Sequence, residues 1–183
     1  YITTKTPRLS LVVCQHGNEP FGLKIIHALQ PRLDAFPGLQ LIIANEEALA
    51  LNVRGIDSDL NRSFPGNPSG NHEERLAHHL SELIRSSTFV LDIHTSVSQC
   101  GRVLPIVTSL NERTRTLINL LNAQRLLLVE QPLASGSLIH QVEGGLSLEF
   151  EKSLADEVSI QIVLRMVKDL FVGKQKDPRE REV

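Results

Sequence analysis

The sequence predicts an α/β layered fold in which helices pack against a central sheet. Short apolar runs typical of buried strands alternate along the chain with longer segments that repeat apolar residues at helical spacing. The 183 residues are enough for one domain with a sizeable core, and neither an internal repeat nor a second domain boundary is visible. The composition, 41% apolar and 22% charged, is that of an ordinary globular protein.

The first third of the chain predicts a strand, a helix and a second strand. Residues 9–13 form an apolar run, and residues 39–44 form another. Between them, Pro20 suits the first position of a helix, which makes Glu19 the expected N-cap. Pro37 and Gly38 end that helix. Residues 48–53 are then read as a short strand, followed by a polar loop rich in Pro and Gly, residues 54–66, which we call the site loop.

The remaining elements are predicted from capping residues and apolar spacing. Asn71 and Glu74 have the spacing of a capping box and open a helix with a leucine-rich stripe. Ser153 is the expected N-cap of a last helix whose apolar face includes Val158 and Val163. Further segments are predicted as strands at 88–94, 103–108, 126–130 and 146–150 and as a helix at 111–122. We therefore expect a catalytic domain over residues 1–172 and a charged, flexible tail over 173–183.

Composition excludes several classes of function. A formal net charge of −2 and the absence of a Lys/Arg-rich run argue against a nucleic-acid partner. No apolar stretch approaches the roughly 20 residues that span a bilayer, so no membrane partner is expected. Two cysteines, Cys14 and Cys100, are too few for a disulfide framework. A reducing, cytoplasmic location is the expectation, and the oligomeric state is left open.

Three residues suggest a metal site. His16 and Glu19 follow the first predicted strand, and His94 ends a later one. Carboxyl ends of strands in an open α/β sheet are where ligands collect. A catalytic zinc takes three protein ligands of these types and keeps one position open. The alternative is that His16 and His94 are unrelated residues that cap backbone groups at strand ends.

Two carboxylates accompany these candidates. Asp92 lies two residues before His94 and points to the same face of the strand, so it can orient that imidazole. Glu149 lies on the polar face of a predicted strand and can serve as a general base that takes a proton from water. A strand glutamate is also commonly a solvent-facing residue, and this alternative stays open for Glu149 taken alone.

The site loop carries side chains suited to anionic groups. Arg54, Asn61 and Arg62 can recognise a carboxylate and a developing oxyanion, and Asp59 can hold one guanidinium in place. The alternative is an exposed and solvated Asp/Arg loop.

Taken together, these residues resemble the succinylglutamate desuccinylase/aspartoacylase family, which is related to the zinc carboxypeptidases. The resemblance rests on four segments that occur in family order between residues 9 and 150. They are His16-Gly17-Asn18-Glu19, Asp59-Leu60-Asn61-Arg62 with Arg54 upstream, Asp92-Ile93-His94-Thr95 and Leu148-Glu149.

The resemblance implies a fold, a cofactor and a role for each residue. The family fold is three-layered, with a mixed, mostly parallel sheet flanked by helices. By this resemblance His16, Glu19 and His94 match the ligands of one Zn²⁺. Glu149 matches the residue that activates water and then protonates the leaving amine. Arg54 matches the residue that polarises the scissile carbonyl. The pair that binds the substrate's α-carboxylate is matched by Asn61 and Arg62.

The expected reaction is hydrolysis of an amide in an N-acyl amino acid or a similar small anion. Three features differ from the family pattern: no C-terminal β-rich domain is expected in these 183 residues, Tyr1 is the sole tyrosine, and no arginine closely precedes Glu149. The acyl group is therefore left open, and a carboxypeptidase acting on peptides, including cell-wall peptides, is the alternative. A non-catalytic domain that retains the fold is a third hypothesis. A serine hydrolase is disfavoured because residues 145–149 break the G-x-S-x-G pattern at its last position.

Overall fold

The structure is a computed structural model that describes residues 8–121, 123–130 and 135–173. Strands are interspersed with α-helices along these residues, as the sequence predicts. In chain order they are β1 (Leu9–Val13), α1 (Phe21–Leu29), β2 (Leu39–Ile43), α2 (Glu46–Leu51), α3 (His72–Ile84), β3 (Phe89–Ser96), β4 (Val103–Val107), α4 (Glu112–Leu121), β5 (Leu127–Leu128), β6 (Gly145–Glu151) and α5 (Glu157–Val172).

The strands form one mixed sheet in the order β2-β1-β3-β6-β4-β5. The first four of these run parallel to one another, whereas β4 is antiparallel to β6 and parallel to β5. Parallel neighbours require crossover connections, and the helices between the strands supply them. The predicted mixed, mostly parallel sheet is confirmed.

Helices cover both faces of this sheet and bury two separate cores. Alternate residues of β1 point to opposite faces, so Leu11 joins one core and Val12 the other. The larger core contains the apolar faces of α1, α4 and α5. The smaller core contains α3 together with Leu60 and Phe64 of the site loop. Two helical layers around one sheet give the predicted three-layer α/β fold.

Two local predictions are wrong. Residues 48–53 are not a strand: Asn45 accepts a hydrogen bond from the Ala48 N–H and caps α2 over Glu46–Leu51. An N-cap asparagine followed by two glutamates in the first turn favours a helix over the apolar run that suggested a strand. Ser153 does not cap α5, because Asp156 does so by accepting from the Ser159 N–H.

Two further local predictions, the N-cap of α1 and the apolar face of α5, are also wrong in part. Helix α1 begins at Phe21 with Pro20 at the N-cap position, and Glu19 faces the sheet edge instead of capping the helix. Val158 is 54% exposed and so lies off the buried face of α5. The predicted flexible tail falls outside the described residues from position 174 onward.

None of the helices in the described residues has both the length and the apolar character required to cross a bilayer. The cytoplasmic location stays a prediction.

Candidate metal centre

The carboxyl ends of three parallel strands bring the predicted residues to one edge of the sheet. His16 lies three residues beyond the end of β1, His94 lies in β3, and Glu149 lies in β6. The register of β3 and β6 places His94 directly beside Glu149 and Asp92 beside Ser147. Because side chains alternate along a strand, Asp92, His94 and Glu149 share the face that carries the smaller core.

A tight turn after β1 sets the positions of His16 and Glu19. Cys14 adopts a left-handed backbone conformation with φ 56°, which few non-glycine residues adopt. The Glu19 N–H then donates to the His16 carbonyl over 3.1 Å, so the two side chains lie close together. The Thr95 N–H of β3 donates to Glu19 Oε2 over 2.8 Å and fixes the carboxylate against the next strand.

His16, Glu19 and His94 converge on one point. Their potential ligand atoms all lie within 4.8 Å of one another, and the two imidazole centroids are 5.0 Å apart. His16 Nδ1 lies 2.8 Å from Glu19 Oε1, and His94 Nδ1 lies 3.3 Å from Glu19 Oε2. Two imidazole nitrogens and one carboxylate can hold a metal ion, and this donor set suits a catalytic zinc.

The opposite nitrogen of each imidazole is held by an aspartate. His94 Nε2 lies 2.8 Å from Asp92 Oδ2, the contact predicted from the sequence. His16 Nε2 lies 3.0 Å from Asp59 Oδ1, a contact that the sequence did not indicate. A carboxylate at the outer nitrogen keeps the proton there and leaves the inner Nδ1 free to bind a metal. The residues present therefore fit a metal ion.

The buried charges of this cluster shift one another's pKa values. Burial acts to lower the pKa of both imidazoles, but hydrogen bonds and charges from Asp59, Asp92 and Glu19 outweigh it and raise both. Burial acts to raise the pKa of Glu19, yet hydrogen bonds involving His16, His94 and the Thr95 N–H leave it well below its usual range. The cluster therefore favours an ionised carboxylate at Glu19.

The pKa of Glu149 is shifted in the opposite direction from that of Glu19. Burial raises the pKa of its carboxyl group, and the nearby carboxylates of Glu19 and Asp92 add to the rise, while His94 acts against it. The register of β3 and β6 places Glu149 beside His94, one of the three convergent residues. Its side chain in β6 is half-buried.

The site loop brings Arg54 to the cluster through Asp59. Arg54 donates from Nε and Nη2 to Asp59 Oδ2 over 3.2 and 2.8 Å, and its Nη1 lies 3.8 Å from Glu19 Oε1. The predicted restraint of a guanidinium by Asp59 is present. The Arg54 side chain is 53% exposed, so it borders both the candidate ligands and solvent.

Asn61 and Arg62 form their side-chain hydrogen bonds with residues outside the convergent set. Asn61 Oδ1 accepts from the Leu138 N–H over 3.1 Å and so joins the site loop to the segment before β6. Arg62 donates from Nη1 to the carbonyl of Asn61 over 2.7 Å at an exposed position. Among the described residues, neither side chain forms a hydrogen bond or an ion pair with His16, Glu19 or His94.

Sequence reasoning missed one acidic residue near the site. Glu73 is fully buried and contacts the site loop from the first turn of α3. Its neighbour Glu74 has capping-box spacing to Asn71, but no feature of the sequence indicates a buried role for Glu73.

Known proteins match both the sequence and the fold. The family profile described as the succinylglutamate desuccinylase/aspartoacylase catalytic domain matches residues 5–153. The chain belongs to this family. The predicted resemblance is therefore confirmed over most of the chain.

Individual relatives share part of this region. A probable aspartoacylase of Trichodesmium erythraeum is 30% identical over 121 residues, which cover 56% of this chain and 40% of that protein. An N-alpha-acetyl-L-2,4-diaminobutyric acid deacetylase of Halomonas elongata is 34% identical over 109 residues, covering 55% of this chain and 31% of that one. This succinylglutamate desuccinylase/aspartoacylase family chain thus aligns with less than half the length of these curated relatives.

The fold is shared more widely than the sequence. The crystal structure of murine aminoacylase 3 superposes with a TM-score of 0.72 at 22% identity, and the match covers 94% of this chain and 68% of that one. At this identity the likeness establishes the fold alone.

Proposed function

We propose that this chain is the catalytic domain of a zinc-dependent deacylase that hydrolyses the amide bond of an N-acyl amino acid or a similar small anion. The observation that carries the proposal is the convergence of His16, Glu19 and His94 within 4.8 Å, with Glu149 beside His94 in the sheet. Family membership supports the reaction class.

The donor set and its outer contacts support zinc as the metal. Two imidazoles and one carboxylate are the protein ligands of several catalytic zinc sites, which keep a fourth position open. A zinc ion held there would polarise a carbonyl oxygen and lower the pKa of a water molecule toward neutrality. Asp59 and Asp92 would orient His16 and His94 for that role.

Glu149 is the proposed general base and acid. Its raised pKa brings the carboxyl group closer to neutral pH than that of an ordinary glutamate, which suits a group that first accepts and then donates a proton. It would take a proton from the attacking water and deliver it to the nitrogen of the leaving amine.

The site loop supplies the proposed anion-binding groups. Arg54 would stabilise the negative charge that develops on the scissile carbonyl oxygen, an interaction that strengthens in the transition state. Asn61 and Arg62 would bind the substrate's α-carboxylate. Asn61 uses its oxygen to accept from Leu138, so its amide nitrogen can donate to that carboxylate.

The test combines a metal measurement with a substrate panel. Purified protein is analysed for zinc and assayed against N-acetyl and N-succinyl amino acids and against short peptides. Replacing Glu149→Gln should lower kcat by about 10²- to 10⁴-fold while zinc stays bound. Glu151→Gln is the matched control, because Glu151 lies two residues further along β6 and contacts Ser153.

Each outcome has a defined meaning. Full activity in Glu149→Gln would refute the proposed role of that residue. Turnover of peptides without turnover of acyl amino acids would favour the carboxypeptidase alternative. A protein that binds no zinc and shows no activity after zinc addition would be a non-catalytic domain of the same fold.

A further inference from the structure

Glu73 places a carboxylate in the interior of the protein without a basic partner among the described residues. Its side chain is fully buried and accepts four hydrogen bonds. Oε1 accepts from the Ile56 N–H over 2.7 Å and from Asn45 Nδ2 over 3.1 Å. Oε2 accepts from the N–H groups of Asp57 and Ser58 over 2.9 and 3.0 Å. A buried charge is tolerated where such bonds satisfy it.

Three of these donors are consecutive backbone N–H groups of the site loop. Successive N–H groups that wrap around an anion form a nest, and the anion fixes the backbone conformation that builds it. The turn is tight, because a Cβ atom added at Gly55 would lie 2.0 Å from the Ser58 carbonyl oxygen. The Glu73 carboxylate therefore occupies the nest formed by the N–H groups of residues 56–58.

The residues on either side of this nest are those that reach the metal centre. Arg54 precedes it and Asp59 follows it, and the two side chains contact each other. Asp59 continues to His16 Nε2, and the Arg54 carbonyl accepts from the Gly17 N–H over 3.4 Å. Any change in the nest conformation moves Arg54 and Asp59 relative to His16.

We propose that Glu73 is a positioning residue of this site: its carboxylate folds residues 55–58 so that Arg54 and Asp59 face His16. The effect on catalysis rests on the deacylase function proposed above, whereas the effect on the loop does not. Glu73 lies on α3, on the helical layer beside the smaller core, and does not contact the three candidate ligands.

A pair of adjacent variants separates this role from a general effect on α3. Glu73→Gln keeps the shape of the side chain but replaces one acceptor oxygen with an NH₂ group, which cannot accept from a backbone N–H. Glu74→Gln removes the same charge from the same helical turn. Glu74 accepts from the Asn71 N–H over 2.8 Å within the capping box and does not contact residues 55–58.

Amide hydrogen exchange, followed residue by residue by NMR, is the first readout. In the wild-type protein the amides of Ile56, Asp57 and Ser58 should exchange at the slow rate of hydrogen-bonded backbone. In Glu73→Gln their exchange should accelerate at least tenfold, and in Glu74→Gln it should stay as in the wild type. Exchange of these amides at the rate of an exposed loop in the wild type would overturn the proposal, even if Glu73→Gln failed to fold.

The kinetic readout uses the best acyl amino acid of the panel. Because Arg54 is proposed to act on charge that develops in the transition state, Glu73→Gln should lower kcat by about 10- to 100-fold and change KM by less than threefold. Glu74→Gln should keep the wild-type kcat. Equal losses in both variants, or an unchanged kcat in Glu73→Gln, would overturn the positioning role. If the wild-type protein turns over no substrate, the deacylase proposal fails while the exchange data still decide the role of Glu73 in the loop.

Discussion

Asp59 joins the metal centre to the site loop, and its replacement by asparagine gives the sharpest prediction. Oδ1 lies 3.0 Å from His16 Nε2 and accepts from the Asn61 N–H over 2.9 Å. Oδ2 accepts from two nitrogens of Arg54. Asparagine offers an acceptor on one side only. In Asp59→Asn an NH₂ group must therefore face either His16 and Asn61 or the guanidinium, where it meets donors.

The contacts of Asp59 with Arg54 and with His16 differ in the free energy that they contribute to the site. The Arg54 side chain is 53% exposed, so solvent screens its ion pair and the expected contribution is about 0–1 kcal/mol. The His16 side chain is only 5% exposed, and its hydrogen bond with Asp59 fixes the ring and lowers the pKa of the Asp59 carboxyl group. Loss of such an outer partner costs about 10- to 100-fold in metal affinity, or roughly 1.4–2.7 kcal/mol. The loss of zinc affinity in Asp59→Asn should therefore exceed the effect of losing the Arg54 ion pair.

Zinc affinity is measured by competition with a chromophoric chelator. Asp57→Asn serves as the control, because Asp57 lies in the same loop and loses the same charge but accepts from the His72 N–H and does not contact His16. Asp59→Asn should bind zinc about 10- to 100-fold more weakly than the control. Equal affinities in Asp59→Asn and the wild type would refute the reasoning about the outer contact.

Three further predictions follow from single residues. A Cβ atom at Gly17 would lie 2.0 Å from the Ala48 carbonyl carbon. Gly17→Ala should therefore lower the free energy of unfolding by about 1–3 kcal/mol. Unfolding of the variant in urea at the wild-type midpoint would contradict this. Burial raises the pKa of the Cys14 thiol to about 11 and also raises that of Cys100, but only Cys100 is partly exposed. A thiol reagent should therefore label Cys100 of the native protein and reach Cys14 only after unfolding. Burial acts to raise the pKa of Glu73, but its backbone hydrogen bonds outweigh this and lower it, so the carboxylate stabilises the fold above the ordinary carboxyl pKa of about 4.3. That stabilisation should disappear as the pH falls through the depressed folded-state pKa of Glu73. The urea midpoint of the wild type should therefore fall more steeply with acid than that of Glu73→Gln, and equal slopes would contradict the prediction.

Local predictions succeeded where one signal was dominant. The strands at β1, β3 and β6 followed from short segments rich in apolar residues, and the Asn71 capping box is present in full. They failed where signals competed. The strand predicted at residues 48–53 rested on apolar content and did not use the capping potential of Asn45. The prediction of Ser153 as an N-cap did not use Asp156, which lies three residues closer to the start of α5.

Sequence by itself determined the kinds of chemistry available and their positions along the chain. His16, His94 and Glu149 each follow or end an apolar strand, and parallel strands deliver such residues to one edge. Family membership and the layered fold were accessible in the same way, because apolar periodicity and motif order are properties of the linear chain.

Tertiary structure alone decided that two further carboxylates, Asp59 and Glu73, support the site. Asp59 and His16 are 43 residues apart, and no feature of the sequence marks Glu73 as a buried residue. Whether an acid faces solvent or enters the interior depends on which backbone N–H groups a distant loop presents to it. That pairing arises only when α3 packs beside the site loop, so the side chains that hold the candidate site in place become visible only in the folded protein.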